Sequence, residues 1–92
     1  MERLNELRTK IDAIDKEMAK LFEQRINIVK EIATVKKEIN YPSYDQGRET
    51  FILIRNGAYI EDKEIRMMYF EMMRKQFELT KKMQEEILHQ SN

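Results

Sequence analysis

Apolar residues recur at steps of three and four from Leu4 through Leu7, Ile11, Ile14, Met18 and Leu21, and again through Ile28, Ile32, Val35 and Ile39. That is the period of a helix with one buried stripe. No glycine or proline interrupts it before "INYPSYDQG", where Pro42 disfavours helical geometry at Tyr41. The spacing predicts a first helix from about residue 3 to about residue 39. At its usual rise such a helix is roughly 55 Å long, whereas a compact chain of this size has a radius of gyration of only about 12 Å. Nothing in the stretch offers a kink, and the rest of the 92-residue chain is too short to cover the stripe along its length. We therefore expect an obligate homodimer whose long helices cross or pair between subunits.

Two further helices follow from the same kind of pattern. Ser43 with Gln46 fits a capping box, and Asp45 is an alternative N-cap. Phe51, Ile52, Leu53 and Ile54 supply an apolar face, and Asn56-Gly57 supplies a stop, giving a short helix over about residues 45–56. The third helix begins near Glu61 or Asp62 and runs to about residue 89, with Ile65, Met68, Met72, Met73, Phe77, Met83 and Ile87 on its face. Two glycines and one proline are too few for the turns of a β-rich fold. The expectation is one all-α domain over residues 1–92, with a long, a short and a long helix per chain.

Lysine plus arginine equals aspartate plus glutamate, 17 of each. A nucleic-acid binder would normally show a basic excess, so none is expected as a partner. The chain has no cysteine, which excludes disulfides and thiolate metal sites and suggests a reducing compartment. No apolar run approaches the ~20 residues that span a bilayer, and "MERLNELRTK" has no signal core. A cytoplasmic protein without a membrane partner is the expectation.

Several polar residues lie on faces that should be apolar. Arg25 and Lys36 sit on or beside the long stripe, at helical spacing from Phe22, Val29 and Ile32. Thr80 and Gln84 are one turn apart, on a face that continues into Met73 and Phe77. A buried polar side chain needs a partner. Singly, each could pair with a neighbouring glutamate or set helix register. Together, two cations and two neutral donors on inward faces suggest a cavity for a small anion, and arginine's planar fork suits a carboxylate. Glu49 and Asp45 have ordinary roles at a helix start, Arg8 could pair with Asp12, and the seven methionines fit adaptable core packing. The sequence shows no metal-ligand spacing, nucleophile–base pair or glycine-rich phosphate loop, so neither metal nor cofactor is expected.

The order of these residues resembles the all-α chorismate mutase family over nearly the whole chain. The likeness rests on "LRTKIDAIDKEMAKLFEQR", on "VKEIATVKKE" with its lysine eleven residues after the arginine, on "YPSYDQGRE", and on "LTKKMQ" as a counterpart of a Ser-x-x-x-Gln ending. The resemblance implies an intertwined dimer of three-helix chains, and an isomerase that converts chorismate to prephenate by an intramolecular [3,3] (Claisen) rearrangement in aromatic amino acid biosynthesis. It implies that Arg25, and Arg8 from the other subunit, hold the two substrate carboxylates. Lys36 and Gln84 would donate to the ether oxygen. Glu49, helped by Asp45, would accept from the substrate hydroxyl, and Arg48 would support the site electrostatically. Thr80 stands where the family commonly has serine. An alternative register would put Gln76 and Thr80 in the last two slots; Thr80 and Gln84 keep hydroxyl and amide in family order.

Arg8 and Arg25 are seventeen residues apart, about 25 Å along a straight helix. One ten-carbon ligand cannot bridge that distance, so both can touch it only from different chains. The alternatives are an isochorismate pyruvate lyase or aminochorismate mutase on the same fold, or a helical dimerisation module without catalysis. The ending "LHQSN" leaves no room for a further catalytic or regulatory domain, which predicts a monofunctional enzyme.

Overall fold

The structure is a computed structural model that describes residues 1–42 and 45–90. It contains three helices, α1 (Glu2–Glu38), α2 (Gln46–Gly57) and α3 (Lys63–Leu88), with no strand among the described residues. Each lies within a residue or two of its expected bounds. The molecule measures 57 × 27 × 15 Å. Its long axis is therefore the length of α1, which runs its 37 residues unbroken.

Local chemistry fixes the helix ends. At the end of α1, Asn40 takes a left-handed φ of 57°. Its N–H donates to the Lys37 carbonyl at 3.4 Å, and the Tyr41 N–H donates to the Lys36 carbonyl at 2.8 Å. This pair of bonds is a Schellman ending with asparagine in the usual glycine place. The α2 cap is Asp45, whose side chain accepts from the Arg48 N–H at 3.0 Å; the alternative from Ser43 falls outside the described residues. Asp62 caps α3 by accepting from the Ile65 N–H at 2.9 Å.

The corner between α2 and α3 stops at Gly57, but not through a left-handed glycine, since no glycine has positive φ. Gly57 is there because α3 comes close. A Cβ at this position would lie 2.6 Å and 2.8 Å from two atoms of the Phe70 ring. Arg66 then ties the turn to α3. Its Nε donates to the Gly57 and Ile60 carbonyls, and its Nη2 to those of Ile60 and Glu61.

Packing register gives the directions. Arg25 lies over Phe77, Lys36 bonds Gln84 and Lys37 bonds the Gln90 carbonyl, so α1 and α3 run parallel. Gly57 lies against Phe70, while Glu49 shares a hollow with Lys81, so α2 returns antiparallel to α3. The buried apolar core is small: Ala33, Met73 and Phe77. The α1 stripe is not covered by its own chain, with Ile11, Ile14 and Leu21 exposed at 54%, 58% and 59%. A radius of gyration of 16.9 Å states the same thing for the whole chain, against about 12 Å for a compact one.

Candidate active site

The parallel packing of α1 and α3, with α2 returning antiparallel along α3, lines a cavity of about 710 Å³. Its floor is apolar, with Phe22, Ile32, Ile52 and Met73 among the lining side chains. That volume falls in the ordinary range for a small-molecule site. The inward polar residues of all three helices meet here. Arg25 and Lys36 come from α1, Asp45, Arg48 and Glu49 from the start of α2, and Thr80 and Gln84 from α3.

The α1–α3 contact sets the lysine. Lys36 Nζ donates to Gln84 Oε1 at 3.1 Å and lies 6.0 Å from the centre of the Tyr41 ring. The Schellman ending just beyond Lys36 fixes where Tyr41 stands. With its amide oxygen engaged by the lysine, Gln84 presents Nε2 as its donating end. Thr80 is buried and donates from Oγ1 to the Phe77 carbonyl at 3.2 Å. The hydroxyl oxygen keeps acceptor capacity toward the cavity.

Arg25 is partly buried, and desolvation pushes its pKa below the ordinary arginine value, opposed by Tyr69. Its guanidinium carbon lies 5.6 Å from the centre of the Phe77 ring, which holds the flat group in place. Nη1 is buried without a hydrogen-bond partner among the described residues. Such a donor is costly to leave unpaired, and here it belongs to a side chain that lines a cavity. Gln76 also lines the cavity with a buried, unpartnered Oε1, and its Nε2 reaches only Met73 Sδ at 3.7 Å. Of the two registers weighed for α3, both therefore reach the cavity. Gln84 is the amide bonded to Lys36.

Glu49 is half-buried. Desolvation pushes its pKa above the ordinary glutamate value, Lys81 opposes that rise, and Asp45 adds to it. The cavity wall holds one cation the sequence reading did not single out. Arg55 stands two turns after Arg48 on α2, and the two guanidinium carbons lie 5.1 Å and 5.7 Å from the Phe51 ring centre. The seven-residue spacing was the available signal, since it puts both arginines on one helix face. Four cations, Arg25, Lys36, Arg48 and Arg55, thus face two carboxylates, Asp45 and Glu49. The excess suits a ligand carrying two negative charges.

Arg8 is not brought to this cavity. It is exposed on the first third of α1 and forms no ion pair with Asp12; the ion pairs among the described residues are Arg3–Glu6, Glu17–Lys20 and Lys75–Glu78. No group of three or more histidine or acidic side chains is placed to hold a metal ion among the described residues. Nor is any helix long and apolar enough to cross a membrane.

A family profile described as chorismate mutase type II matches residues 7–85. A protein named "Chorismate mutase" from Methanocaldococcus jannaschii is 38% identical over 55 residues, covering 60% of this chain and 56% of that protein. A "T-protein" from Haemophilus influenzae is 38% identical over 53 residues, covering 58% of this chain and 14% of that protein. The chain thus spans about half the length of the first relative and a small part of the second. No solved structure gives a significant match.

Proposed function

The chain belongs to the type II chorismate mutase family, and on that premise we propose that it converts chorismate to prephenate at the α1–α2–α3 cavity. The observation that carries this reading is the Lys36–Gln84 pair at 3.1 Å. It sets an ammonium and an amide donor side by side in a cavity with an excess of cations. In the rearrangement a C–O bond breaks as a C–C bond forms within one molecule, and negative charge grows on the ether oxygen. Nothing is added or lost, so neither nucleophile nor proton donor is needed. What the site must supply is orientation and pre-aimed donors where charge develops.

The roles proposed are those that the family resemblance implies, and the geometry supports them at several points. Arg25 offers an unpartnered buried N–H to one carboxylate, and Phe77 holds its plane. Lys36 and Gln84 Nε2 donate to the ether oxygen. Glu49 accepts from the ring hydroxyl, and Asp45 fixes the first turn of α2 on which Glu49 stands. Arg48 adds positive potential, and Thr80 offers a short polar contact. Arg8 completes the site from a second copy of the chain. That copy would also cover the exposed α1 stripe, whose side chains from Leu4 (40% exposed) to Ile39 (64% exposed) would each gain roughly half of the about 1.5–3 kcal/mol that full burial gives. A homodimer with two shared sites is the proposed working form.

The direct test is chorismate consumption by ultraviolet absorbance, with prephenate identified by its acid conversion to phenylpyruvate. Isochorismate and aminochorismate are run beside it. Turnover of chorismate to prephenate is the expected result. Turnover of another substrate alone would replace this assignment with a lyase or aminochorismate mutase. No turnover, with a melting temperature indifferent to all three dianions, would leave a helical interaction module.

A further inference from the structure

Two hollows flank the α2–α3 pair. The first is the cavity already described. The second, of about 340 Å³, opens on the other side, between Gln46, Thr50 and Leu53 of α2 and Arg74, Glu78 and Lys81 of α3. Glu49 is the ionisable side chain common to both walls, with the buried Phe77 ring as the other shared group. The α3 helix sorts its residues between the two sides by rotation. Thr80 and Gln84 face the first cavity, while Arg74, Glu78 and Lys81, at steps of four and three, line the second. Lys81 directly follows Thr80, so it stands about 100° further round the helix.

The charges around Glu49 differ in what happens to them when a dianion binds. On its own helix are the Asp45 carboxylate, which disfavours its ionised form, and the Arg48 guanidinium. Arg55 stands further along the same helix, and Arg25 and Lys36 of α1 lie across the first cavity. All of these face the ligand, whose own charges would engage the cations. In the second hollow Glu78 is paired with Lys75 at 3.3 Å, and Arg74 lies two turns before Lys81. Lys81 is the cation whose field at Glu49 opposes the desolvation of the carboxylate. It acts from the side the ligand does not occupy. An incoming dianion would raise the tendency of Glu49 to take up a proton, and a protonated Glu49 loses acceptor capacity toward the substrate hydroxyl.

We propose that Lys81 is a positioning residue of the site: acting from the hollow behind α2, it keeps the Glu49 carboxylate in its accepting form while the dianion is bound. The proposal rests on the mutase reading for its consequence in turnover, but not for the coupling itself. The test therefore has two arms. In the first, the pH dependence of chorismate turnover is compared for the parent chain, Lys81→Gln, Lys81→Met and Lys81→Arg. The neutral variants are expected to move the acid limb to higher pH, with activity on that limb falling about three- to ten-fold, and the arginine variant to restore it. A merely structural role would scale the rate at every pH without moving the limb. In the second arm, the Glu49 side-chain carboxyl is titrated by carbon-13 NMR in the ligand-free protein. Its midpoint is expected to rise in both neutral variants and to return in Lys81→Arg. An unchanged Glu49 midpoint overturns the proposal. A shifted midpoint in a protein that turns over no chorismate upholds the Lys81–Glu49 coupling and overturns the mutase reading instead.

Discussion

At the scale of single residues, a polar group on an apolar stripe was the informative signal. Arg25 and Lys36 interrupt a run of Phe22, Val29 and Ile32, and the structure brings both to one cavity with Thr80 and Gln84 from the opposite helix. Lys36→Ala and Arg25→Ala are each expected to lower turnover by about 100-fold or more while circular dichroism retains its helical signal. Near-parent activity in either variant would remove that residue from the mechanism. Glu49 carries a prediction with two opposite signs. Burial raises its pKa, so its stabilising contribution is complete below the ordinary carboxylate range and lost as pH rises through the raised folded value. At neutral pH the folded chain holds a charge it would hold more easily unfolded. Glu49→Gln should therefore melt higher than the parent at neutral pH, with the gap closing in acid, yet turn over more slowly. Thermal melts at several pH values, set beside turnover, check both halves. Arg55 was not legible in this way, because it lies on the partly exposed face of a short helix where arginine is ordinary. Only the closing of α2 over the cavity gives it a wall to stand in.

At the scale of helices, what is written locally was readable and what depends on close approach was not. Asp45 and Asp62 cap as their chemistry dictates, and the apolar period placed all three helices. Gly57 was legible as a stop, but its reason lies thirteen residues away in the Phe70 ring. The Arg66 side chain carries no local signal of its role, yet it spans the corner with bonds to three carbonyl oxygens. This corner sets the α2–α3 angle and, through it, where Asp45, Arg48 and Glu49 face α1. Gly57→Ala should destabilise the chain by about 1–3 kcal/mol, the usual penalty for overpacking. A Phe70→Leu change in the same chain should recover part of that loss by removing the ring it strikes. A denaturant titration of the single and double variants measures the coupling. Equal, additive losses would mean that the Gly57–Phe70 approach does not determine the corner.

At the scale of the whole molecule, helix length was the strongest constraint in the sequence. A 37-residue helix sets a 57 Å long axis, and the single chain leaves most of the stripe open from Leu4 to Ile39. The same length separates Arg8 from Arg25 by about 25 Å, too far for one small ligand. The homodimer proposed above answers both facts: a second copy would cover the stripe and carry its own Arg8 to the first copy's cavity. In a two-fold dimer each site then takes Arg8 from one chain and Arg25 from the other. Arg8→Ala and Arg25→Ala homodimers would each have two damaged sites. In a mixed dimer both lesions fall in one site, and the other site is intact. Equal amounts of the two variants, unfolded together and refolded, should form mixed dimers as half of the population. About one quarter of the parent activity should return, although neither variant recovers any alone. Refolding each variant separately before mixing should delay the recovery to the rate of subunit exchange. A mixture that exchanges subunits, as shown by mass-tagged chains, but regains no activity would place Arg8 outside the shared site. A charged substitution in the stripe, Ile14→Glu, should abolish the recovery by preventing assembly, and sedimentation would then report separated or unfolded chains.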